Sequence, residues 1–158
     1  CNAAMTPCRA RSPRGERVEG SKPFNRGDNV SIVGAIRLTG AVTMRPYVGA
    51  INRSKFRDFI ERWLLPELKV GDVLVMDNLS VHKDPIAIAM LEAAGIRVIF
   101  QPPYSPEFNP IEMYWSVFKN ALRKCEARDL RTLLASVFTV SAATAFPFAG
   151  IFHACGYT

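Results

Sequence analysis

No stretch of the 158-residue sequence approaches the ~20 uninterrupted apolar residues of a membrane span. No charged segment followed by an apolar run opens the chain, so a secretory leader is not visible. Cysteine is sparse and dispersed. Cys1, Cys8, Cys125 and Cys155 form no C-x-x-C pair, and with only His82 and His153 beside them no zinc cluster can be assembled by spacing. A chain of this length with scattered cysteines reads as reduced and cytoplasmic rather than disulfide-stapled. A phosphate-cradling glycine loop of the P-loop or dinucleotide type is absent, which disfavours a nucleotide-binding module. There is no internal repeat and no low-complexity tract.

What is present suits one ordinary domain. The chain is 49% hydrophobic and 22% charged, enough to bury a core. Twenty Lys and Arg against 14 Asp and Glu leave +6, a balance that favours a polyanionic partner without specifying a fold. Residue 1 is cysteine rather than methionine, so the sequence is expected to begin inside a longer frame or in a processed product.

Residues 1–28 interleave arginines with Pro and Gly and read as basic loop. Val30, Ile32, Val33, Ile36 and Leu38, then Thr39-Gly40, then Ala41, Val42, Met44, Tyr47 and Val48 predict an antiparallel hairpin. Asn52 predicts a cap for a helix carrying Phe56, Phe59, Ile60, Trp63 and Leu64, which Pro66 ends or kinks. Val73–Met76 and Ile96–Phe100 read as buried strands. Between them Asp84-Pro85 opens a helix that Gly95 closes. A proline-dense loop then leads to a helix from Asn109-Pro110 with Ile111, Trp115, Phe118 and Leu122 on one stripe, and a last helix from about Asp129. A hairpin followed by strand–helix–strand–helix predicts an α/β fold, with the two later strands parallel and joined by a right-handed crossover.

Asp77 stands at the carboxyl end of a predicted central strand, where active sites of open α/β sheets gather, although Asp77-Asn78 equally suits a turn. Glu112 stands at the third position of a helix, where with Asn109 it matches a capping box. The loop before it holds Pro102, Pro103, Pro106 and Pro110, and such a rigid approach suits the fixing of a functional side chain. If the two strands are parallel, both carboxylates come to one edge, where they repel unless a cation or proton lies between them. Hard oxygen donors of this number suit Mg²⁺, which completes its shell with water and phosphate.

The run Val75-Met76-Asp77-Asn78 through His82, followed by Pro102-Pro103-Tyr104-Ser105-Pro106-Glu107-Phe108-Asn109-Pro110-Ile111-Glu112, resembles the core of mariner-type DDE transposases, above all their bacterial insertion-sequence relatives. Residues 78–111, 34 in all, separate Asp77 from Glu112, the spacing of that family's second and third acidic residues. The likeness extends upstream through residues 11–17 and the hairpin, and ends on Phe152–Tyr157. It implies a ribonuclease-H-like mixed sheet with flanking helices and two-metal phosphoryl transfer on double-stranded DNA, both transposon ends and target. Asp77 and Glu112 would hold Mg²⁺, or Mn²⁺ in its place. One ion would activate water and then the freed 3′-hydroxyl, and the other would stabilise the leaving oxygen. The resemblance further implies a homodimer in the active assembly, a nucleoid-associated cytoplasmic location and no membrane partner.

The family's first aspartate lies just ahead of the segment matching Cys1–Pro7. The expectation is therefore a single domain over residues 1–158, lacking its first strand and the helix-turn-helix region that precedes it. Asp28 and Asp72 are in-chain substitutes, and both read better as turn residues. The alternative is an inactive remnant that at most binds DNA or a full-length partner. Arg11, Arg14 and Arg17 in the irregular segment, and Lys119, Arg123 and Lys124 beyond Glu112, are candidate phosphate contacts. His82 is a further candidate, for a phosphate or for the metal edge. A solvated basic face or a structural histidine are the plainer readings of these residues.

Overall fold

The computed structural model describes residues 1–3, 5, 13–17, 27–103, 105–143 and 146–157. Four strands and five α-helices organise them: β1 (Val30–Arg37), β2 (Gly40–Val48), α1 (Arg53–Phe59), β3 (Val73–Met76), α2 (Pro85–Ala93), β4 (Arg97–Phe100), α3 (Pro110–Lys124), α4 (Leu130–Ala143) and α5 (Phe148–Ala154).

The hairpin forms as the alternation requires. β1 and β2 pair antiparallel from Val30 opposite Val48 to Arg37 opposite Gly40, with a bulge between Ala35 and Ile36. Its two faces serve two cores, because side chains alternate across a strand. Val33, Ala35 and Tyr47 pack towards Phe56, Phe59, Ile60 and Leu64, together with Met76, Ala87, Leu91 and Ile96. Met44, Ile32 and Ile36 pack towards Tyr114, Phe118 and Leu122 of α3, Val137 and Val140 of α4, and Ile151 of α5. The hairpin is thus the wall between two apolar clusters. Gly34 keeps that wall thin, since a Cβ there would come 2.0 Å from the Met44 sulfur.

α1 is capped as predicted, with the Lys55 N–H donating to Asn52 Oδ1 at 2.9 Å. It then loosens into a π turn over Ile60–Leu64 and tightens into a 3₁₀ turn over Leu65–Glu67 that contains Pro66. Arg45 of β2 stacks 3.7 Å from the Trp63 ring centroid and ties that π turn to the hairpin.

β3 and β4 pair in parallel, Val73 opposite Arg97 through Met76 opposite Phe100, with α2 as the crossover. Both strands are less covered than their apolar runs suggest. Val73 is 45% exposed and Ile99 40% exposed, while Val98 and Phe100 face the core. This sheet is two strands wide, and α2 shields one face of it. The fold is α/β, built on two small sheets, and among the described residues no ladder joins them.

The sheets are registered against each other by side chains. Arg37, at the end of β1, donates from Nη2 to the Glu67 carbonyl at 2.7 Å and lies 3.8 Å from the Asp72 carboxylate just before β3. The end of β1 therefore meets the start of β3. The start of β1 lies at the other end of that strand. There Cys1 exchanges two backbone hydrogen bonds with Val30, 2.7 and 2.6 Å, on the side of β1 away from β2. No single helix among the described residues is long and apolar enough to cross a membrane.

Candidate active site

Asp77 follows the last residue of β3 and is held on one oxygen. Its Oδ1 accepts the Leu79 N–H at 3.0 Å and lies 2.6 Å from Nδ1 of His82. The turn reading of Asp77-Asn78 is therefore correct as far as it goes. Oδ2 enters no hydrogen bond among the described residues, and the side chain is 48% exposed. His82 is fixed in turn, its ring centroid 4.8 Å from that of Phe56 and its N–H donating to the Leu79 carbonyl. Its Nδ1 points at the carboxylate rather than into solvent.

The loop from Asp77 is pinned at its far end as well. Asp84 caps α2, accepting the Ala87 N–H at 3.2 Å. It also takes a two-pronged ion pair from Arg57 of α1, 2.6 Å from Nε and 2.8 Å from Nη2. The Arg57 guanidinium holds this fully buried carboxyl down at about 2.

Glu112 lies in the first turn of α3, exposed, after Pro110 at the helix start. The capping box does not form. Asn109 makes no side-chain cap, and the Glu112 N–H donates to the Asn109 carbonyl at 3.0 Å. The Glu112 side chain instead lines a cleft of about 340 Å³ with Cys1, Val30, Ser31, Ile32, Trp115 and Lys119. This cleft opens at the start of β1. Gln101 hydrogen-bonds through its backbone to Met76 and Asn78 on either side of Asp77, and through its side chain to Phe108, four residues before Glu112. Among the described residues no group of three His, Cys, Asp or Glu side chains converges as a metal-holding cluster.

Helix geometry sorts the basic candidates. At about 100° per residue, Lys119 and Arg123 fall in line with Glu112, while Lys124 is turned about a third of the way round. Lys119 is exposed in the cleft, and Arg123 donates to Asn120 Oδ1 at 2.8 Å. Arg14 and Arg17 are exposed in a turn closed by the Glu16 N–H on the Pro13 carbonyl. Arg11 and Tyr104 lie outside the described residues. Asp72 is a turn residue, accepting the Lys69 N–H at the end of β3 remote from Asp77.

Three features escaped the sequence. Tyr114, not Ile111 or Trp115, is the fully buried partner of Phe118 and Leu122; Ile111 and Trp115 are half-buried beside them. The Arg57–Asp84 pair joins residues 27 apart. Gln101, a buried amide, links the end of β4 to the loop before α3. Spacings of four from Tyr114 could have flagged the first of these, but nothing local signals the other two.

An α/β domain with an acidic residue at the end of a parallel strand, and a second in a cleft with basic residues in line with it, is what these observations define. The model of the DDE superfamily endonucleases matches residues 1–134, and the chain belongs to that family. Solved structures agree on the fold. A Mos1 transposase paired-end complex with left transposon end superposes with a TM-score of 0.73 at 16% identity, over 96% of this chain and 48% of that one. A pre-cleavage Mos1 transpososome gives 0.70 at 14% identity, with 96% and 48% covered. The Mos1 strand transfer complex gives 0.68 at 17%, with 96% and 47% covered. The chain spans about half the length of these relatives. No curated protein matches it in sequence.

Proposed function

We propose that this chain is the catalytic domain of a DNA transposase, performing metal-dependent strand cleavage and strand transfer at insertion-sequence ends. What supports the reading is the placement of Asp77 at the end of β3 and of Glu112 in the cleft at the start of β1, in a member of the DDE superfamily. The donor set fits a hard divalent ion: Asp77 keeps Oδ2 outside its hydrogen bonds, Glu112 is exposed, and the cleft has room for water. The ion we assign is Mg²⁺, with Mn²⁺ as its substitute, in a two-metal arrangement held by Asp77 and Glu112. When bound, such ions polarise the scissile phosphate and make water, then a 3′-hydroxyl, a competent nucleophile.

The chain's own residues orient this chemistry. Leu79 and His82 fix the Asp77 carboxylate by Oδ1 and leave one oxygen to face the edge. Lys119 and Arg123 extend from Glu112 along α3 and meet the DNA backbone, neutralising phosphates without reading sequence. Arg14, Arg17 and Lys124, all exposed, and Arg11 by its sequence setting, are further candidates for phosphate contact. The similar structures are a paired-end complex with a transposon end, a pre-cleavage transpososome and a strand transfer complex, which supports transposon-end DNA as substrate; the working form we assign is a homodimer.

Nicking of supercoiled plasmid by this chain, extended upstream to include the family's first aspartate, tests the reading. Nicking is expected with Mg²⁺ or Mn²⁺, to stop with EDTA, and to vanish in Asp77→Asn and Glu112→Gln. Metal-dependent nicking retained by Asp77→Asn overturns the assignment. Salt-sensitive DNA binding with no cleavage under any metal favours a DNA-binding remnant instead.

A further inference from the structure

Asp84 and Gln101 are buried polar residues. Asp84 has its arginine and its helix to explain it. Gln101 has a different set of partners, and each of them touches the chain beside Asp77 or the chain leading to Glu112.

On one side, the backbone of Gln101 binds both neighbours of Asp77. Its N–H donates to the Met76 carbonyl at 2.8 Å, and its carbonyl accepts from Nδ2 of Asn78. On the other side, its amide Nε2 donates to the Phe108 carbonyl at 2.7 Å and lies 3.4 Å from the Tyr157 hydroxyl. Tyr157 donates to the same Phe108 carbonyl at 3.0 Å. That tyrosine is placed by the turn after α5, through its N–H on the Phe152 carbonyl and a 5.8 Å edge contact with the Phe152 ring.

Phe108 is the last residue before Asn109 and α3. Its side chain is 47% exposed and Asn109 makes no side-chain cap. The end of the loop is therefore held by a backbone carbonyl gripped from two sides. An amide enclosed to this degree keeps its geometry, because an unmade hydrogen bond there costs its full desolvation.

We propose that Gln101 and Tyr157 are positioning residues for Glu112. They clamp the Phe108 carbonyl, so the proline loop delivers the first turn of α3 to the edge where Asp77 stands, and Gln101 sets both carboxylates in one frame. The carboxyl-terminal turn is part of the site's support, although it lies 45 residues beyond Glu112 in sequence. The inference rests on the reading of Asp77 and Glu112 as a shared metal edge.

Two measurements on the 158-residue chain separate the claims. Gln101→Met keeps the volume and removes the donor, Tyr157→Phe removes one hydroxyl, and Leu133→Ala is a core control in a separate cluster. Hydrogen exchange at the Phe108 and Glu112 amides is expected to speed up about tenfold in Gln101→Met and a few-fold in Tyr157→Phe. Mn²⁺ affinity of Gln101→Met is expected to fall about tenfold, as for other groups that orient a metal ligand. Leu133→Ala should lower Tm and leave both readouts alone. Wild-type exchange at these amides in Gln101→Met and Tyr157→Phe overturns the proposal. So does an Mn²⁺ affinity unchanged by Gln101→Met, where Asp77→Asn abolishes binding. If the wild-type chain binds no Mn²⁺ that Asp77→Asn removes, the metal reading falls and exchange alone decides the clamp.

Discussion

Asp77 and Glu112, the two carboxylates we assign to one metal edge, are held by different means. Asp77 is continuous with a strand whose ladder runs into it, and its carboxylate is tied by the Leu79 amide and by His82. Glu112 has no such tie. It rides on the first turn of a helix, at the end of a loop whose last carbonyl is clamped by Gln101 and Tyr157. One carboxylate is held at its own atoms, and the other by its approach. Loss of a contact near Asp77 therefore acts on a single side chain, whereas loss of a contact near Glu112 moves a helix start.

The largest effect should come from removing the strand-borne ligand itself. Asp77→Asn is expected to lower metal-dependent nicking at least about a thousandfold, the loss of several kcal/mol of charge stabilisation. Next is the seat of α3. Phe118 is fully buried against Tyr114 and Trp115, and Phe118→Ala should cost about 3–5 kcal/mol in chemical denaturation. That variant should disturb Glu112 more than Asp77, since α3 carries only the former.

Acid tests the anchor of the Asp77 loop. The Arg57 guanidinium holds the Asp84 carboxyl at about 2, below its ordinary value of 3.8. Its contribution is therefore complete above about pH 4 and disappears as pH falls through 2. Unfolding followed across that window should show a loss of stability that Asp84→Asn flattens. A smaller effect is expected from His82→Ala, about a tenfold weakening of Mn²⁺ binding with little change in exchange near Glu112. The smallest is Asn52→Ala, about 1 kcal/mol of stability from the cap of α1, with no effect on metal.

The same contrast marks what the sequence made legible. Local rules found what is locally determined: the hairpin at residues 30–48, the caps at Asn52 and Asp84, the parallel pair of strands, α3 starting at Pro110 and a last helix from about Asp129. They predict Asp77 and Glu112 at one edge from strand order and loop length. They overstated the burial of β3 and β4, whose apolar runs look the same whether one face or two are covered. They expected a capping box at Asn109 that a clamped loop replaces. Gln101 was invisible because its partners stand 7 and 56 residues away, and a lone glutamine carries no periodicity.

The account stands on Asp77 and Glu112 sharing one metal edge, and a double-mutant cycle in Mn²⁺ affinity, read from the free-ion electron paramagnetic resonance signal, tests this directly. Asp77→Asn and Glu112→Gln should each abolish most of the binding, and the double variant should lose no more than the worse single one. Independent, additive losses, or Mn²⁺ bound equally well by all four proteins, would contradict it.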